Sequence, residues 1–250
     1  MNLKSEAIQI SIVIPLFNEE NNIKELYCRI KKVLILLNKS YEIIYVEDGS
    51  KDRTYEIIRD IQVKDSRVKI IKLIKNCGQS KALLIGFEFV KGNVIVTMDG
   101  DLQNDPNDIP KFLDKIKEGY DFVNGFRFKR NDPLHRKLVS KVANWLIKRK
   151  TKVALKDYGC AFAAAKRELI DKFKGCGRES TFIKPVLVKL ANSVAEIKVS
   201  HHQRKKGVSK YSLPRITKSG LDFLFNFSLV ENSIRYKNDI YCVIEKVIEG

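Results

Sequence analysis

The first 125 residues alternate short β-branched runs with longer stretches whose apolar residues recur every three to four positions. Gln9–Pro15 reads as a strand ending at a proline. Asn18–Glu20 is expected to open a helix over Asn21–Leu37, with Ile23, Leu26, Ile30, Val33 and Leu37 on its apolar side. Tyr41–Val46, Val68–Leu73 and Asn93–Met98 read as further strands, and Asp52–Val63 and Gln79–Val90 as the helices between them. This β-α-β-α-β-α-β order predicts an α/β fold: a Rossmann-like, mostly parallel sheet with helices on both faces. Ligands of such sheets lie beyond the carboxyl ends of the strands. The residues after Pro15, Val46 and Met98 are therefore expected to converge on one crevice.

The second half is less regular. Asn107–Lys117 reads as a helix, Asp121–Gly125 as a strand and Pro133–Lys150 as a basic helix. An irregular turn at Asp157–Gly159 precedes helices near Arg167–Phe173 and Thr181–Ala191 and a strand near Val194–His201. Gln203–Tyr211 is a basic loop, Leu213–Ser228 an amphipathic helix, and Ile240–Ile248 a short terminal helix. The expected division is an α/β domain over 1–202, a basic loop and interface helix over 203–230, and a polar tail over 231–250.

Charge sharpens that division. The net charge is +17; residues 1–125 hold 19 basic and 19 acidic side chains, whereas residues 126–250 hold 28 and 11. A basic half faces something anionic, such as a phosphorylated substrate, nucleic acid or a membrane surface, unless it is a lysine-rich solvated surface. No helix-turn-helix, zinc or RNP signature is present, so nucleic acid is not the expected partner. The five cysteines are odd in number and lack a Cys-x-x-Cys pair, which reads as reduced thiols. Met1–Ala7 is polar, unlike a signal peptide, and the apolar run Leu221–Val230 is broken by Asp222 and Asn226. The chain as given is thus expected not to cross a membrane; if it meets one, it would do so peripherally from the cytoplasmic side. Trp145, Phe223, Phe225 and Phe227 are either interface anchors or core residues; His201 and His202 are read as structural.

Two strand ends carry candidate chemistry. Asp48 follows the second strand in Glu47-Asp48-Gly49-Ser50, where a carboxylate can accept hydrogen bonds from a nucleobase or ribose. Taken alone, Gly-Ser-x-Asp reads as a plain strand–turn–helix cap. Asp99-Gly100-Asp101-Leu102-Gln103 follows the fourth strand and can place three oxygen donors around a hard cation such as Mg²⁺ or Mn²⁺.

Together with Pro15-Leu16-Phe17-Asn18-Glu19-Glu20 after the first strand, these motifs resemble glycosyltransferase family 2, with its GT-A fold. Asn124-Gly125-Phe126-Arg127, Arg136 with Ser140, Asp157-Tyr158-Gly159-Cys160 and Arg204 to Tyr211 are similar to the polyprenyl-phosphate branch of that family, which includes dolichol-phosphate mannose synthases and bacterial undecaprenyl-phosphate sugar transferases. The resemblance runs from about Ile10 to Ser228. It implies an inverting transfer of a sugar from a UDP- or GDP-sugar to a polyprenyl phosphate. Pro15, Asn18, Glu20, Glu47 and Asp48 would line the nucleoside pocket; Asp99, Asp101 and Gln103 would hold the metal; Arg127, Arg136 and Ser140 would bind the acceptor phosphate. Arg204 and Lys210 would close over the donor phosphates. Glu47 stands where the family usually has aspartate. Another acceptor, an inactive relative that binds lipid surfaces, and a homo-oligomer all stay open.

Overall fold

The computed structural model describes residues 8–127, 145, 147–149, 152–175, 183–203 and 243–249. Arg136, Ser140, Arg204, Lys210 and the expected helix Leu213–Ser228 lie outside these.

The expected alternation forms. Strands β1 (Ile10–Leu16), β2 (Tyr41–Glu47), β3 (Val68–Leu73) and β4 (Val94–Thr97) alternate with helices α1 (Ile23–Leu36), α2 (Thr54–Lys64) and α3 (Gln79–Glu88). A 3₁₀ turn at Pro106–Asp108, helix α4 (Ile109–Lys117) and strand β5 (Phe122–Arg127) follow. The chain continues as β6 (Ala163–Lys166), α5 (Arg167–Gly175), α6 (Ile183–Leu190), β7 (Val194–Val199) and β8 (Ile244–Ile248). All eight strands join one sheet in the order β7-β5-β6-β4-β1-β2-β3-β8. β4, β1, β2 and β3 are parallel, β5 pairs parallel with β7, and β6 and β8 run against their neighbours.

Strand alternation sends successive side chains to opposite faces. Ile12, Ile14, Ile43 and Tyr45 pack under α1, α2 and α4, with Ile23, Leu26, Ile58 and Phe112. Val13, Ile44, Val46 and Ile71 pack on the other face under α3, α5 and α6, with Ala82, Ile85, Phe173 and Val186. Burying each such aliphatic side chain contributes roughly 1.5–3 kcal/mol, so both sheet faces must stay covered.

Three expectations are corrected. Within the helix expected over 240–248, Ile244–Ile248 instead forms β8, pairing antiparallel with β3. The apolar spacing of Ile244, Val247 and Ile248 suits a helix, but the otherwise open β3 edge offers backbone partners that a helix would leave unmet. Lys72 Nζ to Glu245 Oε1 (2.9 Å) and Lys69 Nζ to Glu249 Oε1 (3.2 Å) flank the pairing. Second, α1 begins at Ile23 with Asn22 at its cap; Asn18–Glu20 do not open it, because their polar groups bind the β2–α2 turn. Third, the alanine-rich β6 was not anticipated.

At the opposite end of the sheet from the crevice, Asp65 ties α1 to the α2–β3 turn. It accepts from Arg67 Nε and Nη2 (2.8 and 2.9 Å) and from Tyr27 Oη (2.7 Å), and pairs with Lys31 Nζ at 3.1 Å. Burial pushes its carboxyl up, but the bonds from Arg67, Tyr27 and Lys31 outweigh that and hold it well below the usual carboxylate range. A group with a depressed folded-state pKa stabilises above its unfolded value and loses that contribution as pH falls through the folded one. Asp65→Asn is therefore expected to cost about 2 kcal/mol at neutral pH, read by urea denaturation. The gap to the parent should begin to narrow below about pH 4 and close only at still lower pH, as folded Asp65 itself is protonated; a gap that ignores pH would rule out the charge as its cause.

Candidate active-site crevice

The carboxyl ends of β1, β2 and β4 meet on one side of the sheet, and the loops after them are joined by side chains. Asp48 N–H donates to the Leu16 carbonyl (2.8 Å). Asn18 has φ 52°, its N–H donates to Ser50 Oγ (3.0 Å), and its Oδ1 accepts from Lys51 N–H (2.8 Å). Glu20 N–H donates to Asp52 Oδ2 and its own carboxylate accepts from Arg53 N–H, both at 3.1 Å. Asn18 and Glu20 thus bind the neighbouring turn, while Pro15 sits partly buried inside β1.

Asp48 is buried and draws in the loop before α3. Its carboxylate accepts from Asn76 Nδ2 (2.9 Å), Cys77 N–H (2.6 Å) and Gly78 N–H (2.9 Å). Gly49 permits the approach: at φ 67°, any Cβ there would lie 2.6 Å from the Asn76 nitrogen. Glu47 turns its carboxylate back onto the Ser50 N–H of its own turn. Burial raises its pKa, offset in part by Ser50 and Lys72.

The next residue of that loop, Gln79, donates to Asp99 Oδ1. Asp99 N–H donates to Asn104 Oδ1 (3.1 Å) and Gln103 N–H to Asp101 Oδ1 (3.1 Å). Between the acids, Leu102 adopts φ 63°, a left-handed conformation that costs a non-glycine residue about 1–2 kcal/mol and tends to mark functional loops. The loop is braced against the strand β7 exit: His202 N–H donates to the Gln103 carbonyl (2.9 Å), Gln103 Nε2 to the His202 carbonyl (3.4 Å), and His202 Nε2 lies 3.0 Å from Asp105 Oδ2. His202 therefore supports the loop.

Burial and the charge of Asp101 push the Asp99 carboxyl up, to about 7, against the opposing pull of Arg127 and Gln79. Two acids held together at a strand end repel, and a divalent cation between them would offset that repulsion. Among the described residues no cluster of three or more acid, His or Cys side chains fit to hold a metal occurs. Two carboxylates are fewer than a closed protein cage supplies; hard octahedral cations are commonly bound by one or two carboxylates with substrate oxygens and water.

Across the crevice, Arg127 lies within electrostatic reach of Asp99. Asp157 fixes its guanidinium through Nε (2.7 Å) and Nη2 (2.9 Å), a planar two-point contact. Asn76, Gln79, Asn104, Asp157 and Lys184 are site residues for which sequence reasoning assigned no role. Asp157 carried a motif signal; the others are single polar residues whose importance arises only from the packing of distant loops.

A mostly parallel sheet with acids and an arginine gathered at its strand ends defines a GT-A glycosyltransferase fold. The chain matches the glycosyl transferase family 2 model over residues 11–173 and belongs to that family. It is 39% identical over 209 residues to undecaprenyl-phosphate 4-deoxy-4-formamido-L-arabinose transferase of Pseudomonas aeruginosa, covering 83% of this chain and 61% of that protein. The protein of the same name from Salmonella choleraesuis is 41% identical over 210 residues, covering 83% and 64%. The chain therefore spans less than two thirds of the length of these relatives. In architecture it is similar to glucosyl-3-phosphoglycerate synthase from Mycobacterium tuberculosis, solved with Mn²⁺, uridine diphosphate and phosphoglyceric acid. There the TM-score is 0.63 at 18% identity, over 90% of this chain and 79% of that one.

If Asp48 holds the loop before α3, Asp48→Ala should raise hydrogen exchange at the Cys77 and Gly78 amides by roughly tenfold or more. Unchanged exchange at both amides would show that the loop stands without it.

Proposed function

We propose that this chain transfers a sugar from a nucleotide-diphosphate sugar, UDP- or GDP-linked, to a polyprenyl phosphate, with inversion at the anomeric carbon. The observation that carries the reading is the acid pair Asp99/Asp101 facing Arg127 within one crevice. One side suits a cation and a diphosphate, the other an anionic acceptor. The acceptor class is supported by the undecaprenyl-phosphate transferases among the relatives; the donor and the metal, by the Mn²⁺- and uridine-diphosphate-bound neighbour.

In this reading Asp99 and Asp101 hold Mg²⁺ or Mn²⁺ with Gln103 beside them, and Pro15, Asn18, Glu20, Glu47 and Asp48 shape the nucleoside side. The cation, when bound, neutralises charge on the departing nucleoside diphosphate. A phosphate monoester, with its second pKa near about 6, is already largely dianionic at neutral pH. It needs positioning more than a general base. Arg127, held flat by Asp157, can supply two parallel N–H groups only to the extent that an incoming phosphate shares them with that carboxylate. The family resemblance assigns Arg136 and Ser140 to the acceptor phosphate and Arg204 and Lys210 to the donor phosphates.

A polyprenyl carrier stays in the bilayer, so the chain must come to it. Among the described residues no helix is long and apolar enough to cross a membrane. Trp145 is 53% exposed, with the Arg149 guanidinium 5.1 Å from its ring and Lys148 exposed beside it. An exposed indole among cations suits an anionic membrane surface.

The direct test is a screen of UDP- and GDP-sugars with a short-chain polyprenyl phosphate, detecting the lipid-linked sugar by mass; no product with any donor would refute the reading. Asp101→Asn is expected to keep the parent's melting temperature and lose at least about 100-fold in rate, and full activity in EDTA would exclude the metal role. The parent should also bind phosphatidylserine-containing liposomes less as salt rises, and Trp145→Ser should bind them less at any salt concentration. Indifference of the parent to liposomes would exclude the membrane as partner.

A further inference from the structure

Lys184 opens α6 and reaches across to the turn beside Arg127. Its ammonium donates to Asn124 Oδ1 at 2.6 Å and to the Cys160 carbonyl. Asn124 is fully buried in β5, and its Nδ2 donates to the Asp157 carbonyl and to Glu196 Oε1, both at 3.0 Å. Asp157 in turn grips Arg127 at Nε and Nη2 and accepts from Gly159 N–H at 3.1 Å. One lysine therefore joins β5, the 157–160 turn and, through Asn124, β7.

We propose that Lys184 is a positioning residue for the acceptor phosphate: by bridging Asn124 and the Cys160 carbonyl it fixes the turn whose Asp157 orients Arg127, and it adds a second cation beside that arginine. This rests on the acceptor reading above.

Holding two buried acceptors in place does not require a charge. A neutral donor would meet both at a smaller desolvation cost, since an enclosed ammonium is expensive. Burial does push the Lys184 ammonium below the ordinary lysine range. Cys160, Asp157 and Asp99 oppose that shift, and the like charge of Arg127 adds to it. Asp157 offsets only part of the repulsion between the two neighbouring cations, and a phosphate dianion would relieve it further. Lys184 is thus set to act through the orientation and field of the arginine, with its own N–H groups engaged by protein oxygens.

The test compares the parent with Lys184→Met and Lys184→Arg by titration calorimetry, using farnesyl phosphate and, separately, UDP with Mn²⁺. Lys184→Met should weaken farnesyl phosphate roughly tenfold or more and leave UDP affinity alone, and Lys184→Arg should recover most of the loss. Should the methionine variant fail to fold, Lys184→Gln, which keeps a donor but no charge, is read in the same way. Equal weakening of both ligands, or no weakening of farnesyl phosphate, overturns the proposal. A parent that binds UDP but no prenyl phosphate removes the acceptor reading and this inference together. A parent that binds both, matched by Lys184→Met, removes the inference alone.

Discussion

Asp48 accepts three hydrogen bonds from the loop before α3, and the geometry of the crevice depends on that contact. The carboxylate ends β2 and fixes Gly78; Gln79, one residue on, binds Asp99 at the end of β4. Two acids from strands separated in the sheet by β1 are thereby held in one frame. The parallel run of β4, β1, β2 and β3 brings the strand ends to one side, but parallel sheets alone leave their loops free to diverge. Here the divergence is prevented by side chains that bind neighbouring backbone: Asn18 and Glu20 on the β2–α2 turn, Asp48 on the α3 loop, and Asn104 on Asp99.

The same crevice sets up an electrostatic imbalance. Asp99 and Asp101 repel, and burial adds to the cost of keeping both ionised. Opposite them, Arg127 and Lys184 are two cations that share Asp157 as a neighbour. Neither side is at ease by itself: the acids favour a divalent cation, and the cations favour an anion. A metal-bound diphosphate on one side and a phosphate acceptor on the other would settle both. Each ligand would relieve a repulsion already present, although a phosphate acceptor would have to share the Arg127 guanidinium with Asp157.

Much of this could be read from the chain. The alternating periodicities of the first 125 residues and the acids after the second and fourth strands located the sheet and its crevice, because local hydrophobic pattern and strand-end position are sequence properties. What escaped notice has physical reasons. In β6 the run Ala163-Ala164-Ala165 has no β-branched signature, yet it fits between β4 and β5 where small residues let the flanking helices close in. β8 takes its conformation from the edge it covers, 170 or so residues away in the chain, and no local pattern reports that edge. Asn18 and Glu20 occupied the right loop, but the direction of their side chains is decided by the β2–α2 turn. Lys184 carried no sequence signal in a lysine-rich half; only the packing of α6 against the 157–160 turn brings it to Asn124 and Cys160.

Glu47, the departure from the family's usual aspartate, bears on whether the crevice is intact. An added methylene at a strand end could push the following Asp48 out of place or thrust a carboxylate into the nucleoside side. Instead the longer side chain folds back to the Ser50 N–H, in the turn that it precedes, and is almost wholly buried there. Asp48 keeps all of its bonds to Asn76, Cys77 and Gly78, and Gly49 keeps the backbone conformation that lets that loop approach. The extra length is thus absorbed inside the turn, where Lys72 partly compensates the buried charge. The Asp48–Gln79–Asp99 frame is unbroken around Glu47, so this substitution by itself is no ground for reading the crevice as degenerate.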